Sequence, residues 1–264
     1  MTNFPHKPII SVVIPAYNCS QYIEQAILSA LTQEVSLEII IINDQSPDNL
    51  DEVMEKYLTN PKIIYLKNPV NLGVVETRNK GVAYAQGQYI AFLDADDWWE
   101  GQKLQAQLDL MQKEDAVLCS TARELCTATG AKTGKIITVS NTITYAKLLR
   151  HNIINCSSVL LKKEVADEFP MAMEDSHEDY YTWLCILKKY GKACGINEPY
   201  LKYRMLPKSK SGNKWRSIRM TYKVYRYMGY NHLYSSLFWC SYIYNGVKKH
   251  YLNFLFKSNK RDVL

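Results

Sequence analysis

The sequence predicts an α/β protein with a Rossmann-like parallel or mixed sheet flanked by helices and a C-terminal helical extension. Two observations predict the sheet. Short apolar runs alternate with segments of helical periodicity over residues 9–97. The runs also end in polar or acidic residues, at the carboxyl edge where open α/β sheets place their ligand crevice. A third observation predicts the extension. From residue 200 onward there are fourteen Lys/Arg against one acid, so this part carries about +13 and the preceding part about −7.

The elements follow in order. Residues 9–14, IISVVI, read as a buried strand stopped by Pro15. Ser20 is positioned to cap a helix reaching about Gln33, with Ile23, Ile27, Ala30 and Leu31 on one face. Residues 37–42 form a second strand ending at Asn43-Asp44, and residues 48–58 a second helix. Residues 62–66 form a third strand, residues 73–85 a helix, and residues 89–93 a strand that runs into Asp94. This alternation requires parallel strands with right-handed crossovers.

Beyond Trp99 the pattern loosens. Helices are expected at 103–113, 145–150 and 179–190, the last ended by Gly191. Strands are expected at 117–121, 135–139, 157–161 and 193–204.

Composition narrows the function classes. With 47% hydrophobic residues in 264, the chain can build a full core. Seven scattered cysteines without a C-x-x-C pair argue against a disulfide framework or zinc site and for a reducing compartment. No secretory leader is expected, because the first eight residues are polar and the apolar run 9–14 is too short. No G-x-G-x-x-G follows the first strand, so a dinucleotide loop is not supported.

The chemistry centres on Asp94-Ala95-Asp96-Asp97 at the fourth strand's end. Three carboxylates in one loop repel, and a hard divalent cation sharing its ligands with phosphate removes that cost. A solvated acidic turn is the alternative. At the first strand's end, Pro15, Ala16, Tyr17 and Asn18 offer a flat ring and backbone groups suited to a nucleobase. Asp44 either accepts a uracil N3–H or caps the helix that follows. Arg78 is a candidate phosphate or carboxylate fork. Trp98 and Trp99 either wall a sugar site or pack underneath. Asp179 sits at a helix N-terminus, where the dipole stabilises a carboxylate, with His177 and Glu178 beside it.

Five ordered segments carry a resemblance: residues 11–18, SVVIPAYN; 41–46, IINDQS; Asn71-Leu72-Gly73 with Thr77-Arg78-Asn79; Asp94 to Asp97; and Glu178-Asp179. Over roughly residues 9–205 the chain resembles family 2 glycosyltransferases of the GT-A fold. These are inverting enzymes of bacterial surface polysaccharide synthesis, such as those building teichuronic acid, capsule or O-antigen of lipopolysaccharide.

The resemblance implies a UDP-sugar donor, Mn²⁺ or Mg²⁺, and a saccharide acceptor that is lipid-linked. It implies that Pro15, Ala16, Tyr17, Asn18, Asp44, Asn71, Gly73, Arg78, Asp94 and Ala95 bind the nucleotide, with Asp44 on the base, Asp94 on the ribose and Arg78 near the diphosphate or Asp96. Asp96 is then the metal ligand and Asp179 the general base. Trp98, Trp99, His177, Glu178, Arg204 and Lys210 are candidates for acceptor contact or for a basic lid over the donor. The family has Gly where this chain has Gln45.

The expected organisation is a GT-A catalytic domain at 1–205, divided into a nucleotide-binding half (1–97) and an acceptor half (98–205), followed by a basic aromatic tail (206–264). In the tail, Arg216, Arg219, Lys223 and Arg226 recur beside Trp215, Ile218, Tyr222 and Tyr225. That pairing suits an anionic membrane surface, giving a cytoplasmic protein peripheral on the inner face of the plasma membrane. Packing on the domain or a homodimer interface are the other uses. Nucleic acid is not expected, because no recognised module is present. Two other classes compete. A nucleotidyltransferase making NDP-sugars needs a Gly-rich phosphate loop that residues 15–18 do not provide. A non-catalytic nucleotide-sugar-binding protein would not need Asp179.

Overall fold

The computed structural model describes residues 7–207 and 214–258. Four strands begin the sheet: β1 (Ile10–Ala16), β2 (Leu37–Asn43), β3 (Ile63–Lys67) and β4 (Tyr89–Phe92). They lie in the order β3-β2-β1-β4 and are all parallel. Helices α1 (Ile23–Leu31), α2 (Leu50–Glu55) and α3 (Gly73–Tyr84) connect them. Along β2 the residues alternate between two cores: Leu37, Ile39 and Ile41 face one, and Ile40 and Ile42 the other. A parallel sheet covered on both faces produces this continuous apolar reading. Helix α3 sits close to the sheet at Gly81, where a Cβ would lie 2.4 Å from Val13 Cγ1.

The second half is mixed rather than parallel. It comprises β5 (Trp98–Trp99), α4 (Lys103–Lys113), β6 (Leu118–Cys126), β7 (Lys132–Ile137), β8 (Thr142–Thr144), α5 (Tyr145–Arg150), β9 (Leu160–Lys162), α6 (Lys163–Glu168), α7 (Glu178–Tyr190) and β10 (Lys192–Arg204). Strand β9 inserts antiparallel between β4 and β6, and β10 runs parallel to β6.

Several boundaries differ from expectation. Strand β1 continues through Pro15, which pairs with Ile42. Val13 O accepts from Leu93 N, so Pro15, two residues on, faces the side where β4 has already ended. No ladder donor is needed there. Helix α1 starts at Ile23 without a side-chain cap; Ser20 N instead donates to Asp48 Oδ2 at 2.8 Å. The strand expected at 157–161 opens as a 3-10 turn, Cys156–Ser158. All seven cysteines are free.

Two helices follow: α8 (Lys214–Tyr227) and α9 (His232–Ser258). Met220, Val224 and Tyr225 of α8 are buried. Tyr225 Oη donates to Leu149 O at 2.9 Å and its ring meets Tyr180 edge-on. Tyr225 therefore leaves the expected aromatic stripe and joins the core, while Trp215 stays 79% exposed. Among the described residues no helix is long and apolar enough to cross a membrane.

Candidate active site

The carboxyl ends of β1, β2 and β4, the start of α7 and the β6–β7 hairpin surround one cleft of about 1020 Å³. That is at the upper end for small-molecule pockets, with room for two substrates. At one end lie Pro15, Ala16, Tyr17 and Asn18, with Tyr17 half-exposed. Asn18 has φ +50° and its N–H donates to Ser46 Oγ at 2.7 Å. Gln45 has φ +56°, in the left-handed region that favours glycine.

Asp44 is buried at the end of β2. Its Oδ1 accepts from Asn68 Nδ2 and Leu72 N, both at 2.8 Å, and Oδ2 from Gly73 N at 2.9 Å. The carboxylate thus meets the first turn of α3 instead of capping α2, a favourable position in the helix dipole. Asn71 Nδ2 donates to Asp44 O at 3.1 Å. Gly73 has φ +84°, a conformation that disfavours any side chain, and a Cβ there would also displace the Glu174 carboxylate.

Arg78 bonds Asp94, and its charge also acts on Asp96. It is 5% exposed, and its two terminal nitrogens donate to Asp94 Oδ1 at 2.5 Å and Glu178 Oε1 at 3.1 Å. The guanidinium is consumed as a strut between the end of β4 and the start of α7. It fixes where the acidic loop stands relative to Asp179.

The other loop carboxylates have separate surroundings. Asp97 is buried and its Oδ1 accepts from Arg204 N at 3.0 Å; burial, then the charges of Asp96 and Asp94, push its carboxyl up. Asp96 lines the cleft, and burial followed by the charge of Asp94 pushes its carboxyl to about 6. Burial beside a second carboxylate disfavours the charged form of Asp96. Asp96, with Asp94 beside it, is therefore suited to a hard divalent cation. No group of three or more His, Cys, Asp or Glu converges among the described residues. Such a cation would take its remaining ligands from phosphate oxygens and water.

Three expected acceptor contacts lie elsewhere. Trp98 and Trp99 are buried and do not line the cleft. Trp99 Nε1 donates to Ser157 O at 2.7 Å, and Lys103 Nζ lies 4.1 Å from its ring centre. Arg204 is held by Asp96 O, Ala128 O and Gln25 Oε1 and stacks between Tyr22 and Trp98. Its donors brace the acidic loop from behind. Lys210 lies outside the described residues.

Asp179 also lines the cleft, in the first turn of α7, with Oδ1 accepting from Tyr180 N at 2.7 Å. Burial and then the neighbouring Glu178 charge raise its carboxyl above the ordinary value. His177 Nε2 is 3.0 Å from Ser217 Oγ of α8, so the tail helix braces the start of α7. Residues that sequence reasoning missed also line the cleft: Arg123, Leu125, Lys135, Ile137, His151 and Asn152, with Tyr242 of α9. Single charged residues on two separate strands carry no spacing signal. Only the hairpin brings them together.

Comparison with known proteins agrees with this architecture. The sequence matches the family described as Glycosyl transferase family 2 over residues 11–166. It is 35% identical over 255 residues to TuaG of Bacillus subtilis (strain 168), described as a teichuronic acid biosynthesis glycosyltransferase; the match covers 94% of this chain and 99% of that one. It is 32% identical over 257 residues to WfgD of Escherichia coli, covering 96% and 98% respectively. WfgD is described as a UDP-Glc:alpha-D-GlcNAc-diphosphoundecaprenol beta-1,3-glucosyltransferase. Among solved structures, S. aureus TarS 1-349 in complex with UDP-GlcNAc superposes with a TM-score of 0.69 at 15% identity, over 89% of this chain and 71% of that one. The fold is GT-A, and the chain is a glycosyltransferase of bacterial surface polysaccharide synthesis that belongs to glycosyl transferase family 2.

Proposed function

We propose that the chain transfers a hexose from a UDP-sugar, with inversion, to a hydroxyl of a lipid-linked saccharide. The observation that carries this reading is the strut Asp94–Arg78–Glu178. It joins the acidic loop to the helix start bearing Asp179, so a donor lying along the loop has its C1 near the base. The base pocket is formed by Tyr17 and Asp44, whose Oδ2 accepts from Gly73 N and keeps a lone pair for a further N–H. Asp94 contacts the ribose. Asp96 holds Mn²⁺ or Mg²⁺, which supplies Lewis-acid stabilisation of the charge that develops on the departing UDP.

Asp179 removes the proton from the acceptor hydroxyl as its oxygen attacks C1 from the face opposite UDP. With Asp179 acting as a base and the acceptor oxygen as the nucleophile, transfer is a single displacement, which inverts the anomeric centre. WfgD is named for a diphosphoundecaprenol-linked acceptor, which supports a lipid-diphosphate acceptor here. Trp215, Leu233, Leu237 and Tyr244, all more than half exposed on α8 and α9, support a peripheral position on the inner membrane face.

UDP release from a panel of UDP-sugars tests the metal assignment. The wild type is expected to require Mn²⁺ or Mg²⁺, and Asp96→Ala to lose roughly 10²-fold or more of that turnover, the scale of several kcal/mol of charge stabilisation. Metal-dependent turnover unchanged in Asp96→Ala contradicts the role.

A further inference from the structure

We infer that Arg123 and Lys135, of the β6–β7 hairpin, form a binding subsite for the diphosphate of the acceptor. This rests on the lipid-diphosphate reading above and deepens it.

The hairpin brings the two cations to one cleft. Arg123 lies opposite Ile137, and side chains alternate along each strand. Lys135, two residues before Ile137, stands where the hairpin register shifts between Glu124 and Cys126, and it lines the same cleft as Arg123. Both line the cleft, with Leu125 and Ile137 between them as apolar flanks.

Their charges are unspent. Arg78, also in the cleft, is consumed by Asp94 and Glu178. Lys132, on the same hairpin, pairs with Glu100 at 2.7 Å. Among the described residues, neither the Arg123 guanidinium nor Lys135 Nζ has an ion pair or a hydrogen bond. Arg123 has only the Tyr203 ring, 5.9 Å away. Burial works against its charge and pulls its pKa down, with Tyr203, Asp97, Tyr242 and Asp179 acting the other way. A half-buried cation without a counter-ion is costly, and an anionic ligand removes that cost.

The position fits the acceptor rather than the donor. Asp179, whose charge acts on Arg123, lines the same cleft, as does Tyr242 of α9. The pocket proposed for the base is built instead on the ends of β1 and β2, at Tyr17 and Asp44. A sugar with its hydroxyl at Asp179 has its diphosphate within reach of the hairpin, and its lipid leads out past α9. An Arg fork beside a Lys point charge is the donor set that diphosphate recruits.

The test is calorimetric titration of decyl diphosphate into protein whose donor site is filled with UDP and Mn²⁺. The wild type is expected to bind it, and Arg123→Gln and Lys135→Gln each to weaken that binding about tenfold or more. The loss is confined to the diphosphate ester, with UDP affinity as the internal reference. Should Arg123→Gln unfold, the half-buried strand residue Lys135 carries the test alone. Unchanged affinity in Lys135→Gln overturns the inference. Displacement of UDP by decyl diphosphate overturns it too, by assigning the cations to the donor. Inorganic pyrophosphate binding as tightly as decyl diphosphate overturns the lipid-linked assignment. Failure of the broader reading shows separately, as absence of UDP release from every UDP-sugar by the wild type.

Discussion

Asp179→Asn is expected to lower kcat by roughly 10²–10⁴-fold, the range of a general base, with UDP-sugar affinity retained within a few-fold. Asparagine keeps the side-chain shape and an oxygen able to accept from Tyr180 N, so the helix start survives. What is lost is the group that takes the acceptor proton. The wild-type profile carries a second signature. Burial, then the Glu178 charge, holds the Asp179 carboxyl above the ordinary Asp value of about 3.9. The rate falls as pH falls through that raised pKa, because the protonated acid cannot accept a proton. The acid limb of kcat/KM therefore lies above the usual carboxylate range and disappears from the residual activity of Asp179→Asn. Steady-state kinetics across pH check both effects. A loss expressed mainly in donor binding contradicts the assignment.

Arg78→Met is expected to produce the largest loss of stability. Arg78 is 5% exposed and its two partners are Asp94 and Glu178, the latter also buried. Methionine fills much of the volume beside Met171, whose sulfur already touches the guanidinium. It leaves two carboxylates near one another without a counter-ion. Removing one partner of a buried ion pair costs about 3–5 kcal/mol. For a chain of this size each kcal/mol lowers Tm by about 2–4 °C, so a fall of roughly 6–20 °C is expected. The triple change Arg78→Met, Asp94→Asn, Glu178→Gln removes the stranded charges and is expected to recover part of the loss. Differential scanning calorimetry checks this, and a Tm for Arg78→Met within 2 °C of the wild type contradicts the strut.

The first four strands were legible because a parallel sheet covered on both faces writes itself as continuous apolar runs: β2 is buried at every position. Helices α4 and α5 also fall at the expected boundaries, residues 103–113 and 145–150. The second half was less legible. Strand β5 is two tryptophans long, and β9 only three residues, too short for any periodicity. Its antiparallel insertion between β4 and β6 is set by long-range pairing that local pattern does not encode.

The site divides in the same way. Strand-end residues such as Asp44 and Asp94 were found because topology dictates where strand ends meet. Trp98 and Trp99 were assigned by proximity in sequence to the acidic loop, and Arg204 as part of a basic segment closing the domain, but all three side chains are buried. Arg78 was found, yet its partner Glu178 lies a hundred residues away. Arg123 and Lys135 were missed because each is an ordinary basic residue until the hairpin closes.

The central claim is a single displacement at one cleft that holds donor, metal and base together. The anomeric configuration of the transferred sugar tests it most directly. Incubating the protein with an α-linked UDP-sugar, Mn²⁺ and a diphosphate-linked saccharide, and reading the new anomeric coupling by ¹H NMR, is predicted to show a β linkage formed in step with UDP release. An α-linked product, requiring a second nucleophile, would contradict the account.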